Sequence, residues 1–341
     1  MNPALPQAIF RINTDNAFRA AALEVFHFQA AHNPVYREYL SRLGVDAGRI
    51  AKIEEIPFLP AGFFRTHRVL CGSMEPELVF ESSGTTTTTP SRHHVADASL
   101  YRSSLSRTFR QFYGPPEKYC FLALLPSYLE RKGSSLVYML DHLIRQSGHS
   151  DSGFYLGRLD GLAGMLERRN GDRHPTLLLG VSFALADLAE KYPVDLGDHI
   201  IVMETGGMKG RRKEMVRSEL HSLLSDAFSL STIHSEYGMT ELLSQAYSSG
   251  EGLFRCPPWM RVMARDPNDP LTILTHPEDD LRGDPEKIPV KGGLNIIDLA
   301  NLYSCAFIAT DDLGKVHEDG SFEVTGRFDH SDVRGCNLMV P

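Results

Sequence analysis

The chain has 341 residues and a formal net charge of −8, and its composition is 42% hydrophobic and 23% charged. That is enough to bury a substantial core in one large domain or two average ones. The mild acidity speaks against a broad nucleic-acid surface but not against a local basic pocket.

No apolar run approaches the ~20 residues of a spanning helix; Tyr119 to Leu125 is one of the longest. The N-terminus has no charged start followed by an apolar stretch, so no secretion signal is read. Five dispersed cysteines without a Cys-x-x-Cys pair suit free thiols in a reducing cytoplasm. The 14 histidines show no zinc spacing.

Apolar spacing at three and four predicts helix over the first ~75 residues. Phe18, Ala21, Ala22, Val25 and Phe26 form one face, and Asn33-Pro34 should end that helix. Ile56-Pro57-Phe58-Leu59-Pro60 reads as an extended connector. From Leu78, short apolar runs (Leu78 to Phe80, Tyr119 to Leu125, Thr176 to Leu179, Ile200 to Met203) alternate with helical stretches (Ala98 to Phe112, Ser135 to Gln146, Arg211 to Phe228). This alternation predicts an α/β sheet with helices packed on it. Beyond about residue 260, strands are expected at Leu271 to Leu274, Gly293 to Ile297, Ala306 to Ala309 and Phe322 to Thr325. Gly314 and Asp319-Gly320 should supply turns.

Three stretches carry chemistry. Ser82-Ser83-Gly84-Thr85-Thr86-Thr87-Thr88-Thr89-Pro90-Ser91-Arg92 follows a short strand and precedes the extended His93-His94-Val95. Backbone N–H groups and hydroxyls in such a loop can cradle phosphate, although Gly-Lys-Ser/Thr is missing; a solvated linker has the same composition. In Glu236-Tyr237-Gly238-Met239-Thr240-Glu241, Tyr offers a flat face for a base and Gly a tight turn. Thr offers a hydroxyl for phosphate and Glu a hard oxygen ligand for Mg²⁺. An ordinary turn before a helix would look alike. Ala309-Thr310-Asp311-Asp312-Leu313-Gly314, followed by Gly326-Arg327-Phe328-Asp329, offers a carboxylate for ribose hydroxyls and an arginine to close over them; a hairpin turn with solvated charges is the plain alternative.

In this order the stretches resemble the motifs of the adenylate-forming superfamily over most of the chain. Ile56 to Pro60, Phe64-Arg65-Thr66-His67, Glu204-Thr205-Gly206-Gly207-Met208-Lys209-Gly210 and Arg334-Gly335-Cys336-Asn337 narrow the resemblance to its acyl-protein synthetase (LuxE-type) family, which supplies fatty acyl groups to a reductase. The resemblance implies an α/β fold of the adenylate-forming N-terminal domain type over 1–326, with a helical part (1–75), an α/β part (76–230) and a β-rich part (231–326). A short tail, 327–341, would carry Cys336. The resemblance further implies ATP and Mg as cofactors. Ser83, Gly84, Thr85 and Thr86 would hold the β- and γ-phosphates, and Gly206 and Gly207 would run along the adenine or the acyl group. Tyr237 would stack on adenine beside Gly238, Thr240 would touch the α-phosphate and Glu241 would hold Mg²⁺. Asp312 would bind the ribose, Arg327 would contact the nucleotide, and Cys336 would carry the acyl thioester. An acyl reductase or carrier is the implied partner, and a homo-oligomer is open.

The sequence departs from the superfamily pattern in two places. Threonines fill the loop where a second Gly and Pro-x-Lys are usual, and Arg92 is the nearest cation. A second domain with a catalytic Lys is missing or vestigial, leaving Lys209, Arg327, Arg334 or a partner to supply that charge. Cys120 and Cys305 are expected to be inert core residues, Cys71 and Cys256 are ambiguous, and His67, His93 and His94 are surface residues by default, although one of them could line the substrate entry. Rival readings are a CoA ligase of the phenylacetate-CoA ligase type, a nucleotide-binding protein without turnover, and a serine hydrolase or acyltransferase. The last would use Ser182 in Gly180-Val181-Ser182-Phe183-Ala184, with Asp226 and His234 or His276.

Overall fold

The computed structural model describes residues 5–82, 89–125, 133–206, 215–275 and 288–328. The N-terminal helix Asp15–His32 is capped by the Thr14 hydroxyl, which accepts from the Ala17 N–H at 3.2 Å. It buries Phe18, Ala22, Val25 and Phe26, while Ala21 is only partly covered. Asn33 ends this helix and begins the next, Pro34–Arg42: its side chain accepts from the N–H groups of Val35 and Tyr36, and Pro34 sits at the first helical position.

β1 (Leu59–Pro60) lies in the stretch expected to be only a connector. β2 (Leu78–Glu81) and β3 (Arg92–Val95) pair antiparallel. Next come β4 (Cys120–Leu124), β5 (Gly153–Phe154), β6 (Thr176–Val181), β7 (Ile200–Thr205), β8 (His234–Tyr237) and β9 (Ala246–Ser248). They form one sheet in the order β5-β4-β6-β7-β8-β9, parallel except for the β8–β9 pair. Every residue of β4 and β6 is buried, which explains why both read as unbroken apolar runs. Helices Ala98–Tyr113, Ser135–Ser147, Leu159–Asp172, Ser182–Lys191 and Arg217–Phe228 interleave with these strands. The last starts at Arg217 and not at Arg211 as expected; 211–214 lie outside the described residues.

β10 (Leu253–Phe254), β11 (Met260–Arg265), β12 (Ile273–Leu274), β13 (Val290–Asp298), β14 (Phe307–Val316) and β15 (Phe322–Arg327) form a second sheet in the order β10-β15-β14-β13-β11-β12. Its pairs are antiparallel, but β1 joins β14 in parallel through Leu59↔Ile308 and Pro60↔Ala309. The N-terminal helices pack on it: the Phe26, Tyr36 and Phe58 rings surround Phe307 at centroid distances of 5.9, 6.2 and 6.1 Å. The Gln29 side chain donates to the carbonyls of Asn301 and Leu302 and accepts from the Ala306 N–H.

Two expected turns resolve differently. Asp319-Gly320 does turn the chain between β14 and β15, with Gly320 at φ +81°. Gly314 lies inside β14, where a Cβ would come within 2.1 Å of the Glu323 carbonyl. The glycine there is a requirement of strand packing and of the register shift beside Leu313, not of a turn.

Candidate functional site

Parallel strands end in loops at one edge of their sheet, and that edge is where α/β folds place ligands. Here β7 ends at Thr205 and β8 at Tyr237, with Thr205 opposite Glu236 in register. The Thr205 hydroxyl donates to the Glu236 carboxyl. Gly206 follows at φ +74°, a backbone that favours glycine, and its carbonyl accepts from the Ser182 hydroxyl at 3.2 Å. At Gly238, a Cβ would lie 2.5 Å from Glu236 Oε1, so the absence of a side chain lets the carboxyl fold under the turn.

The second sheet meets this edge through β14 and β15. Asp312 and Arg327 are cross-strand partners, with Arg327 Nε 3.2 Å from Asp312 Oδ1. The other carboxylate oxygen accepts from the Tyr237 hydroxyl at 2.7 Å. Tyr237, Asp312 and Arg327 thus form one polar chain across the seam between the sheets. The Tyr237 ring sits edge-on to Phe254 and Phe322, at 5.8 and 5.4 Å. Burial pushes the Asp312 carboxyl above its ordinary range, against the hydrogen bond from Tyr237 and the charge of Arg327.

Thr240 and Glu241 stand in the turn after β8, and buried polar groups hold that turn from three sides. The Thr240 carbonyl lies 2.9 Å from His93 Nδ1. A carbonyl only accepts, so Nδ1 carries the proton and Nε2 is left as an acceptor. The Glu241 carbonyl accepts from the Asn301 side chain at 2.8 Å. Asp298 accepts from the N–H groups of Leu243 and Ser244 and from the Ser244 hydroxyl. Glu241 is 6% exposed. Burial raises its pKa, while a hydrogen bond with Ser91 and the charges of Arg65 and Arg327 act the other way.

Ser91 links this turn to the Ser/Thr loop. Its N–H donates to Ser82 Oγ at 2.9 Å, and the Ser82 N–H donates to its carbonyl at 3.0 Å, closing the neck of the loop. Ser83, Gly84, Thr85 and Thr86 lie outside the described residues, as do Gly207 and Cys336. Arg92 is paired with Glu81 across the β2–β3 ladder at 3.0 Å.

Several expectations need correction. His93 is fully buried rather than a surface residue, and burial pulls its pKa down to about 4, leaving it neutral at pH 7. Ser182 is no poised nucleophile: it is buried, and its hydroxyl donates to Glu204 Oε2 at 3.0 Å and to the Thr205 and Gly206 carbonyls. A nucleophilic serine needs a histidine base in reach; of the two offered, His234 is bonded to the Tyr113 hydroxyl at 3.0 Å, and His276 lies outside the described residues. Cys120 and Cys305 are core residues as expected, and the ambiguous Cys71 joins them; burial pushes their thiols up, to about 12 for Cys71 and about 11 for Cys120. Burial raises the Cys256 thiol as well.

Sequence reasoning placed His93 among three histidines offered for the substrate entry and assigned no role to Arg65. A histidine two residues beyond Ser91 in an alternating strand was the available signal for the first. Arg65 stood only within a family signature. Its guanidinium lies 3.9 Å from Asp311 Oδ2, a proximity that required the β1–β14 pairing. Among the described residues, no helix is long and apolar enough to cross a membrane, and no group of three or more His, Cys, Asp or Glu side chains is placed to hold a metal.

No protein-family model and no curated protein matches the chain. Solved structures do. The chain is similar to 2-hydroxyisobutyryl-CoA ligase in an open conformation with 2-HIB-AMP and CoA, at a TM-score of 0.65 and 12% identity, over 93% of this chain and 70% of that one. The same ligase in its postadenylation state with R3-HIB-AMP gives 0.64 and 13%, over 92% and 68%. The amide bond synthetase McbA from Marinactinospora thermotolerans gives 0.48 and 21%, over 73% and 48%. The architecture is that of the N-terminal domain of adenylate-forming enzymes, and the structural neighbours are members of the acyl-CoA ligase superfamily.

Proposed function

We propose that this chain uses MgATP to activate a carboxylic acid as an acyl-adenylate and then passes the acyl group to a thiol. The observation that carries the reading is the convergence of Tyr237, Asp312, Arg327 and the Thr240–Glu241 turn on one seam between the two sheets.

In the first step a substrate carboxylate oxygen attacks the α-phosphorus, the bond to the bridging oxygen of pyrophosphate breaks, and pyrophosphate leaves. Asp312, oriented by Tyr237 and Arg327, has lone pairs left to accept the ribose hydroxyls, and Gly206 and Gly207 are assigned to the adenine or the acyl group. Tyr237 forms a wall on the adenine side beside Gly238, and Thr240 offers its hydroxyl to the α-phosphate. Ser83, Gly84, Thr85 and Thr86 are assigned to the β- and γ-phosphates. Mg²⁺ typically takes one or two protein carboxylates plus substrate phosphates. Glu241, buried in its turn, is the carboxylate assigned to that role. Glu241 would hold the magnesium whose charge offsets that on the departing pyrophosphate.

In the second step a thiolate attacks the acyl carbon and AMP leaves. The four described cysteines are raised by burial and poorly suited to this role. We assign the acceptor role to Cys336, as the resemblance to an acyl-protein synthetase of the LuxE type implies, with a fatty acid as substrate and a reductase or carrier as recipient. The alternative is an external thiol, favoured by the CoA bound to a structural neighbour. Acid-dependent exchange of labelled pyrophosphate into ATP tests the first step, and no exchange with acids of any chain length would defeat it. Intact-protein mass spectrometry tests the second. Cys336→Ser should leave exchange unchanged and abolish protein acylation, and thioester formation on CoA with that variant would assign the acceptor to CoA.

A further inference from the structure

We infer that Arg65 is a second phosphate-binding arginine of this site, directed at the pyrophosphate end of the nucleotide. The inference rests on the nucleotide reading above. Three observations place it there. β1 runs parallel to β14, and the Ala61 N–H extends the pairing by donating to the Ala309 carbonyl at 2.9 Å. The chain then turns through Phe63–Thr66, which sets Arg65 beside Thr310-Asp311-Asp312. Arg65 and Arg327 approach the same oxygen, Asp311 Oδ2, at 3.9 and 3.8 Å.

Neither separation is a hydrogen-bond distance. Asp311 therefore draws the two guanidinium groups together without saturating their donors. Two like charges converging on one carboxylate oxygen leave room for a further anion, because each guanidinium carries five N–H groups and no acceptor. The Arg65 side chain is 46% exposed, so its face is open to a ligand.

Direction comes from the Thr240–Glu241 turn. Phe64, the neighbour of Arg65, packs edge-on against His93 at 5.5 Å, and His93 Nδ1 lies 2.9 Å from the Thr240 carbonyl, so the Arg65 turn sits against the Thr240–Glu241 turn as well as beside Asp311. In the nucleotide reading, Asp312 marks the ribose and Glu241 the metal that rides on the phosphates. A cation carried between the Asp311–Asp312 corner and the Thr240–Glu241 turn flanks the phosphate chain between them. Arg65 would then supply positive charge that the threonine-filled loop lacks, since Arg92 is occupied with Glu81.

The test is a titration of the full-length protein with MgATP, with inorganic pyrophosphate and with AMP, for wild type, Arg65→Gln and Arg65→Lys, with thermal melting as a folding control. Losing a charged contact to the pyrophosphate end should weaken MgATP and pyrophosphate binding ~10-fold in Arg65→Gln. AMP binding should change less than about twofold, and Arg65→Lys should recover much of the loss. Equal weakening of AMP and MgATP would overturn the inference, reducing Arg65 to a brace for Asp311. Unchanged binding of all three ligands would overturn it too. A wild-type protein that binds none of them would instead remove the nucleotide reading, and this inference with it.

Discussion

The parallel sheet presents Gly206, Thr240 and Glu241 from loops beyond its strand ends, whereas the antiparallel sheet presents Asp312 and Arg327 from within paired strands. The difference lies in what fixes each group. Asp312 and Arg327 are set by a backbone ladder and need only each other and Tyr237. Thr240 and Glu241 have no ladder, and their turn is held instead by His93, Asn301 and Asp298, all buried. A site built this way has one corner that forms with the sheet and another that depends on a small set of interior hydrogen bonds.

The comparison can be broken at its ends first. Glu241→Gln removes the proposed metal-binding charge and should lower acid-dependent pyrophosphate exchange by ~100-fold or more with the fold intact, because electrostatic stabilisation is commonly the largest catalytic contribution. Asp312→Asn should act mainly on nucleotide affinity, raising the KM for ATP by ~10-fold or more while leaving the acid KM near wild type, since a charge-assisted pair to ribose is replaced by neutral bonds. If both variants lose rate and affinity in the same proportion, the two corners are not separate in function.

The supporting bonds give smaller effects. His93→Phe removes the donor to the Thr240 carbonyl. The orphaned carbonyl should cost about 1–3 kcal/mol of stability, visible in denaturant unfolding, and the magnesium concentration needed for half-maximal exchange should rise. A variant that melts earlier but keeps its magnesium dependence would make His93 purely structural.

The smallest effect concerns Glu236, whose carboxyl is pushed up to about 7 by burial, with Glu204 nearby adding repulsion and Thr205 pulling the other way. The folded state keeps this proton between the ordinary value of 4.5 and about 7, where the unfolded chain releases it. Its stabilising contribution is therefore full below 4.5 and lost as the pH rises through about 7. Glu236→Gln should lose less in Tm than wild type between about pH 5 and about pH 8, by roughly a few degrees. Parallel melting curves for the two proteins would show that Glu236 is ionised throughout that range.

Much of this could be read from residue order. The buried parallel strands Cys120–Leu124 and Thr176–Val181 declare themselves as apolar runs, and the Asp15–His32 helix by its spacing. Tyr237, Glu241 and Asp312 stand in short strings whose residue types already suggest a nucleotide. The failures share a cause. Leu59–Pro60 reads as a connector because two residues carry no period, and only β14, far along the chain, makes them a strand. Gly314 reads as a turn because glycine is ambiguous until the Glu323 carbonyl presses against it.

Local pattern by itself marked most of the helices and strands and offered side chains suited to phosphate, ribose and metal, because both depend on neighbours a few residues away. The tertiary structure alone decided that the Tyr237 hydroxyl would orient Asp312, that His93 would be buried beneath Thr240, that Ser182 would be tied to Glu204, and that Arg65 would face Asp311. Each of those contacts joins separate segments of the chain. The free energy of such a contact comes from burying both partners together, which no single stretch of the chain can express.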